Sequence, residues 1–588
     1  MKEQTNNPVP NFFLASAEDF KKIPGSPIAY WVSDYVRKLF SNNQASSPII
    51  NPKVGLQSGD NDRFTRYWWE PNINNISFTC SNKSEAIISK KKWFPFNKGG
   101  DYRKWYGNLE YIVNWEKDGG EIKTLRPKSV VRNPNYYFKE SISCSAITSS
   151  IVSYRYYPQG AIFDVNFRSI FNDNKQTFYI ILGLLNSFVI RFFSLILSQT
   201  MALNVDDLKR MPFINDIKHI STDSIIKLIQ LSKAIWDSYE HSWDFQELPL
   251  LTGLDLNDDT RGKIKRRFPL HNMLSIGYNQ LHEKWNKKVF EMQRHEEENN
   301  RILIEAYGLQ NELTPGVPLE EITLTCNPHY RYNGNKTDKE LETLLLSDTM
   351  KEFISYAAGC MFGRYSLDKP GLILANQGET IEEYKKKVPN PTFVPDADNV
   401  IPILDEGWFI DDITDRFRSF LRITFGEDQF EENLKFLEQA IGKDIRKYFL
   451  KDFFNHHIKM YKKRPIYWMF SSPNGSFNAL IYMHRYKPDT VSIVLNNYLR
   501  EFRSKIAAKK ENLEEISSSP SSSQSDKTKA LKEIEKLKKV ITELEDYERD
   551  VLYPLATQQI EIDLDDGVKM NYNKFGKALR KVPGLTGK

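Results

Sequence analysis

Apolar and polar positions change period several times along the chain, and each change predicts an element. Residues 178–197 read FYIILGLLNSFVIRFFSLIL, with Leu182, Leu185, Val189, Phe193 and Ile196 at helical spacing. The stretch is about as long as a membrane-spanning helix. It carries Asn186 and Arg191 near its middle, however, and a central Arg costs about 2.5–3.5 kcal/mol on insertion. The expectation is one apolar helix packed in a core and no membrane. Ile225, Ile226, Leu228, Ile229, Leu231 and Ile235 give one helical face, and Leu281, Trp285, Val289 and Met292 another, so 216–312 reads as helical. The polar run RHEEENNR at 294–301 is expected to be a solvated helix face.

Shorter alternations predict strands. Residues 111–115 (YIVNW) read as a strand followed by a turn at 117–120 (KDGG). Residues 151–157 and 161–165, on either side of Pro158-Gln-Gly160, predict a hairpin, and 466–470 with 477–482 around SSPNGS predict another. Asn204 begins a run, NVDDL, suited to a helix start, and Pro315 and Pro318 suit a boundary. Residues 499–516 and a second arm carrying Ile534, Leu537, Ile541 and Leu544 predict a helical hairpin with a Ser-rich tip at 517–525. The predicted fold class is α+β and multidomain, with no Rossmann-like catalytic domain. The expected parts are a leading segment (1–50), a mixed α+β domain (51–215), a helical connector (216–315), a second α+β domain (316–498), the hairpin (499–550) and a tail (551–588).

Charge changes the picture only when it is resolved along the chain. The 588 residues carry 81 Lys+Arg against 76 Asp+Glu, a net of +5, which excludes an all-over basic coat. Residues 90–170 alone hold 14 Lys/Arg against 7 Asp/Glu, so the remainder is slightly acidic. Six of the 11 Trp lie in the first 115 residues, so the basic segment adjoins an aromatic one. Cys80, Cys144, Cys326 and Cys360 lie far apart without a CxxC, which argues against a disulfide framework or a zinc site and suits a reducing compartment. Residues 1–10 are polar and lack the apolar stretch of a signal peptide, so the expected location is cytoplasmic.

The search for catalytic motifs is mostly negative. No two glycines are spaced i, i+2, so neither GxGxxG nor the tight turn of a nucleoside-cofactor loop is present; GK[ST], GxSxG and HExxH are also missing. Asn133-Pro-Asn-Tyr136 resembles the Asn-Pro-Pro-Tyr box of adenine methyltransferases, but Asn135 replaces the second Pro and a turn is expected. Asp101, Glu121 and Lys123 fit the loose spacing of a metal-dependent nuclease, an alternative reading. His456 and His457 diverge by about 100° on a helix and are not expected to share a metal. The distinctive feature is the run KKKWFPFNKGGDYRKWYG at 90–107, in which aromatics alternate with cations. Its aromatics are expected inside and its cations outward, with Gly99, Gly100 and Gly107 allowing close backbone approach. Lys90, Lys91, Lys92, Lys98, Arg103, Lys104, Arg126, Lys128 and Arg132 are the candidate contacts to DNA phosphates or bases.

The same run, with Val113-Asn-Trp115, resembles the target-recognition domain of the PglX family of adenine-specific methyltransferases from bacteriophage-exclusion (BREX) systems. Further stretches are similar to that family: KIPGSPIAYW at 22–31, RNPNYYF at 132–138, LGLLNS at 182–187, GCMFGRYSLDKP at 359–370 and YKKRPIYWMFSS at 461–472. The family pattern implies an N-terminal domain that binds S-adenosylmethionine, followed by recognition and C-terminal domains. The resemblance implies that this chain corresponds to the C-terminal half, from a split gene or truncated reading frame. Its residues would choose a DNA site for N6-adenine methylation, without themselves holding a cofactor, metal or catalytic group. The implied partners are double-stranded DNA, a catalytic half and other BREX components. A scaffold role for the helical hairpin is a third reading.

Overall fold

The computed structural model describes residues 16–45, 49–144, 152–166, 168–197, 205–214, 221–252 and 273–586. The fold is mixed α+β, with small sheets, many helices and no Rossmann-like core among the described residues. The chain divides into two compact units, each discontinuous in sequence.

The first unit draws on Met1–Thr65, Ser77–Trp236 and Trp285–Asn333. The strand Trp93–Asn97 lies between Tyr111–Asn114, antiparallel with Phe94 opposite Val113, and Ile162–Phe163, parallel with Phe96 opposite Ile162. All five residues of Trp93–Asn97 are buried, which explains a continuous aromatic run where a half-exposed strand would alternate. Phe94, Phe96, Val113, Trp115, Ile122, Phe138, Ile162 and Phe163 form its core. A second sheet places Ser141–Cys144 between Tyr154–Tyr157 and Ser169–Ile170, with Pro52–Lys53 beyond. Asn97 links the sheets: its amide donates to Ser169 Oγ at 3.2 Å and its carbonyl accepts from Ser143 Oγ at 2.7 Å.

Three expectations need correction in this unit. The stretches around Pro158-Gln-Gly160 do not form a hairpin, because Tyr154–Tyr157 and Ile162–Phe163 join different sheets. Gly160, at φ 103°, donates to Phe138 O, and a Cβ there would lie 2.3 Å from Phe78 O; this tight passage carries the chain across instead of back. Residue 151 lies outside the described residues. The apolar stretch is two helices, Lys175–Leu185 and Phe188–Leu197, bent by 64°. Asn186 causes the break by bonding both ways to the Tyr154 backbone, at 3.0 and 2.9 Å, as a strand neighbour would. Asn300 Oδ1 then accepts from Phe188 N–H at 3.0 Å, where the second helix begins. Arg191 pairs with Glu321 at 2.8 Å. Among the described residues no single helix is long and apolar enough to cross a membrane.

The third correction concerns the polar run at 294–301. It lies on the 33-residue helix Leu274–Ala306, and Arg301 is exposed, pairing with Glu298 and Glu305. Glu296, Asn299 and Asn300 of the same run are buried. Helix Val205–Arg210 follows the expected start, although Asn204 itself lies outside the described residues.

The second unit comprises Arg66–Ile76, Asp237–Lys284 and Gly334–Lys588. The long helix Leu274–Ala306 is therefore shared in sequence, its first turns belonging here. Tyr467–Ser471 and Asn478–Tyr482 form the expected hairpin, with Ile401–Pro402 as a third strand. Arg500–Ser518 and Gln524–Tyr547 form the expected helical hairpin, with Ile534, Leu537 and Leu544 buried and Ile541 half-buried. Glu543 anchors it by accepting from Asn474 N–H at 2.8 Å and Ser476 Oγ at 2.6 Å.

A polar centre lies within this unit. Buried Arg364 donates to Tyr365 Oη at 3.2 Å and Tyr482 Oη at 2.8 Å and lies 5.7 Å from the Trp68 ring centroid. Glu240 accepts from Tyr461 Oη at 3.1 Å. Burial pushes the Glu240 carboxyl up to about 7 against the pull of Arg364. His457 Nε2 accepts from Ile466 and Tyr467 N–H at 3.1 and 3.0 Å, and burial holds its pKa well below the ordinary value, so its role is in the core.

Candidate nucleic-acid interface

The nine candidate cations separate into three environments. Lys90, Arg126 and Lys128 are exposed, Lys91, Lys92, Lys98 and Arg132 are half-buried, and Arg103 and Lys104 are buried. Lys90 terminates the helix Lys83–Ser89 in a left-handed conformation, φ 54°, and Lys92 Nζ lies 5.5 Å from the Trp93 ring centroid. These lysines open the strand Trp93–Asn97 and Lys98 closes it, so about 20 Å of extended chain separates Lys92 from Lys98.

At the Lys98 end, several candidates converge on residues 55–62. Gln57 and Val130 exchange backbone hydrogen bonds at 2.9 Å each, Gln57 Nε2 donates to Lys128 O at 3.1 Å, and Arg132 Nη1 donates to Gln57 Oε1 at 3.5 Å. Lys98 Nζ lies 5.6 Å from the Tyr111 ring centroid. Burial lowers its pKa, while Asp164 and Asp62 oppose the shift. Lys128, through its backbone carbonyl, and Arg132, through its guanidinium, are thus both tied to Gln57. Sequence reasoning missed Gln57 because a polar residue in a non-periodic loop carries no pattern. Arg63, half-exposed in the neighbouring short helix Asn61–Phe64, was missed for the same reason.

Arg103 and Lys104 correct the expectation that every cation of the run faces outward. Lys104 pairs with Glu296, and Trp105 Nε1 donates to the other oxygen of that carboxylate at 2.7 Å. Arg103 donates to Thr323 O and Thr325 Oγ1 at 3.3 and 3.0 Å and packs on the Trp236 ring. Their charges are used inside the unit, so they are withdrawn from the contact set. Gly107 and Gly100 likewise make room for the protein's own side chains: a Cβ would meet Arg103 Cδ at 2.4 Å in the first case and Asn108 Nδ2 at 2.6 Å in the second.

The near-miss motifs resolve into local structure. Asn133, at φ 49°, leads into a short turn Pro134–Tyr136, and its amide donates to Val54 O at 2.9 Å. Tyr136 packs on Phe171 and under Lys53 and Lys139. With its amide and ring so engaged, and no glycine loop in the sequence, this segment does not fit an adenine-and-cofactor box. Glu121 pairs with Arg63 and accepts from Asn114, and Lys123 pairs with Asp118 at 2.7 Å. Among the described residues no group of three His, Cys, Asp or Glu gathers to hold a metal.

The chain is 35% identical over 594 aligned positions to the adenine-specific methyltransferase BrxX of Escherichia coli O9:H4 (strain HS), covering 97% of this chain and 46% of the relative. It is also 35% identical over 587 positions to the adenine-specific methyltransferase PglX of Lacticaseibacillus casei (strain Zhang), again 97% of this chain and 46% of the relative. The chain is homologous to these methyltransferases. It spans about half the length of the curated relatives it matches. No family model matches it.

Proposed function

We propose that this chain is the DNA-recognition part of a site-specific N6-adenine methyltransferase acting in bacteriophage exclusion. The observation that carries the reading is the 35% identity to two adenine-specific methyltransferases over 97% of the chain, which accounts for less than half of either relative. The tie of Lys128 and Arg132 to Gln57 in the first unit supports it, because cations carried on neighbouring non-helical segments suit phosphate and base contact.

In this reading double-stranded DNA is the partner, and methyl transfer with S-adenosylmethionine belongs to a catalytic half. No transfer step is assigned to the residues described above. The remaining BREX components are further partners, and the setting is the cytoplasm. Selection from a random duplex pool by the full chain tests recognition. Enrichment of one short adenine-containing site is expected; an unenriched pool would refute it. Adding a separately expressed catalytic half should then yield N6-methyladenine at that site.

A further inference from the structure

The helical hairpin is tied to the rest of the second unit only near its base. Lys509 pairs with Glu406 at 2.9 Å on the first arm, and Glu543 accepts from Asn474 and Ser476 on the second. Among the described residues, no hydrogen bond or ion pair joins 510–542 to another part of that unit. There the arms bury Ala530, Ile534 and Leu537 and half-bury Leu513. The outward faces of this distal part are therefore not fixed by packing against the unit.

Those faces carry opposite charge. Residues 511–518 of the first arm hold three Glu, all exposed, and no Lys or Arg, whereas 524–541 of the second hold six Lys against three Asp or Glu. At about 100° per residue, Lys529, Lys532, Lys536 and Lys539 fall in one strip about 80° wide. All four are exposed. Lys536 pairs with Glu533 at 3.3 Å, while Lys529, Lys532 and Lys539 take part in no ion pair among the described residues. Glu535, beside the strip, bonds to Lys538 at 2.8 Å, and that bond, with Lys539 nearby, lowers its pKa.

Spacing adds an independent observation. Lysines three and four residues apart on one helix face repel one another, and a Glu among them would relieve it. The strip keeps that repulsion instead. From Lys529 to Lys539 it spans about 15 Å of helix axis, and about 15 Å of B-form duplex presents about four phosphates on each strand. Four cations thus meet four anions over the same length. The strip contains no Arg, Asn, Gln or aromatic side chain with which to read a base edge.

We infer that the hairpin is a phosphate-holding arm: Lys529, Lys532, Lys536 and Lys539 lie along one strand of a DNA duplex and grip it without reading its sequence. This rests on the DNA reading above and adds a second surface to it. The glutamates of 511–518 repel phosphate, so the second arm is the side that faces the duplex. Each phosphate neutralised contributes about 0.9 to the salt slope of affinity on B-form DNA.

The test uses the full chain, a short duplex of arbitrary sequence and a salt titration. K529Q/K532Q/K536Q/K539Q is expected to lower the salt slope by about 3 to 4 and the affinity by more than about tenfold. Gln is close to Lys in helix propensity and all four positions are exposed, so melting should follow the parent. K532E/K539E, a second variant of the strip, should act in the same direction, whereas E511Q/E515Q on the other arm should leave the slope as it is. Unchanged affinity and slope in both lysine variants would overturn the inference. Intact site selection with those unchanged slopes sinks it alone, whereas lysine-dependent duplex binding without a preferred site sinks only the recognition reading. A parent chain that binds no duplex, or whose strip binds single-stranded RNA or an acidic peptide in preference, overturns it as well.

Discussion

Lys104 and Glu296 form an ion pair with both side chains about 95% shielded from solvent, joining residues 192 positions apart in sequence. Burial pushes the Glu296 carboxyl up, and Lys104 with the Trp105 indole N–H pulls it back. The pair closes the basic-aromatic run onto the helix Leu274–Ala306 within the first unit.

Removing one partner leaves a buried charge uncompensated. Lys104→Met or Glu296→Leu is therefore expected to cost about 3–5 kcal/mol, with the double variant recovering most of the loss. Urea denaturation of the four proteins checks this. Additive losses in the double variant would show that the two groups do not act as a pair.

The Glu240 carboxyl gives the second unit a pH dependence. Its pKa is raised from 4.5 to about 7 on folding, so the folded state holds a proton the unfolded chain releases in that interval. Stability is fully present below about pH 4.5 and is lost as pH rises to about 7, by about 3 kcal/mol. Glu240→Gln should flatten that slope and be the more stable protein at pH 8. Denaturation at pH 5 and pH 8 measures it, and a steeper slope in the variant would contradict the assignment.

Asn186 imitates a strand neighbour for Tyr154 through two hydrogen bonds. Asn186→Leu preserves apolar helix character but leaves the Tyr154 N–H unsatisfied, while the Tyr154 C=O keeps the Trp105 N–H at 3.0 Å. The expected cost is about 1–3 kcal/mol. Loss of amide protection at Tyr154, read by hydrogen exchange, is the matching local signal.

For the proposed interface, Lys128→Ser and Arg132→Ser should each reduce the salt slope of DNA affinity by about 1. Lys104→Met should instead act through stability, leaving the slope of the folded protein unchanged. Titrations at several salt concentrations separate the two behaviours, and an equal slope change for all three would refute the division.

The elements with a clean period were legible in the sequence. The helical hairpin, the strands Tyr467–Ser471 and Asn478–Tyr482, and the faces around Leu228 and Leu281 follow from spacing and turn residues alone. The break at Asn186 was not legible, because its cause is a partner strand more than thirty residues earlier. The apparent hairpin at Pro158 failed because local turn chemistry cannot say which sheet the next strand joins. At the candidate site, composition located the basic segment but not the inward turn of Arg103 and Lys104, since their partners Thr323 and Glu296 lie about two hundred residues on.

The inward use of Arg103, Lys104 and Trp105 separates what marks this sequence from what would choose its target. Residues 93–109 are mostly committed to packing and internal bonds, with Lys98, Gly100, Asp101 and Tyr102 the positions less than fully buried. Changing the preferred DNA site therefore calls for variation at 126–132 and around Gln57, with the aromatic run left intact as a chassis. A library confined to Gln57, Arg126, Lys128 and Arg132, none of them buried, should keep the parent's melting behaviour while its members diverge in the duplexes they select.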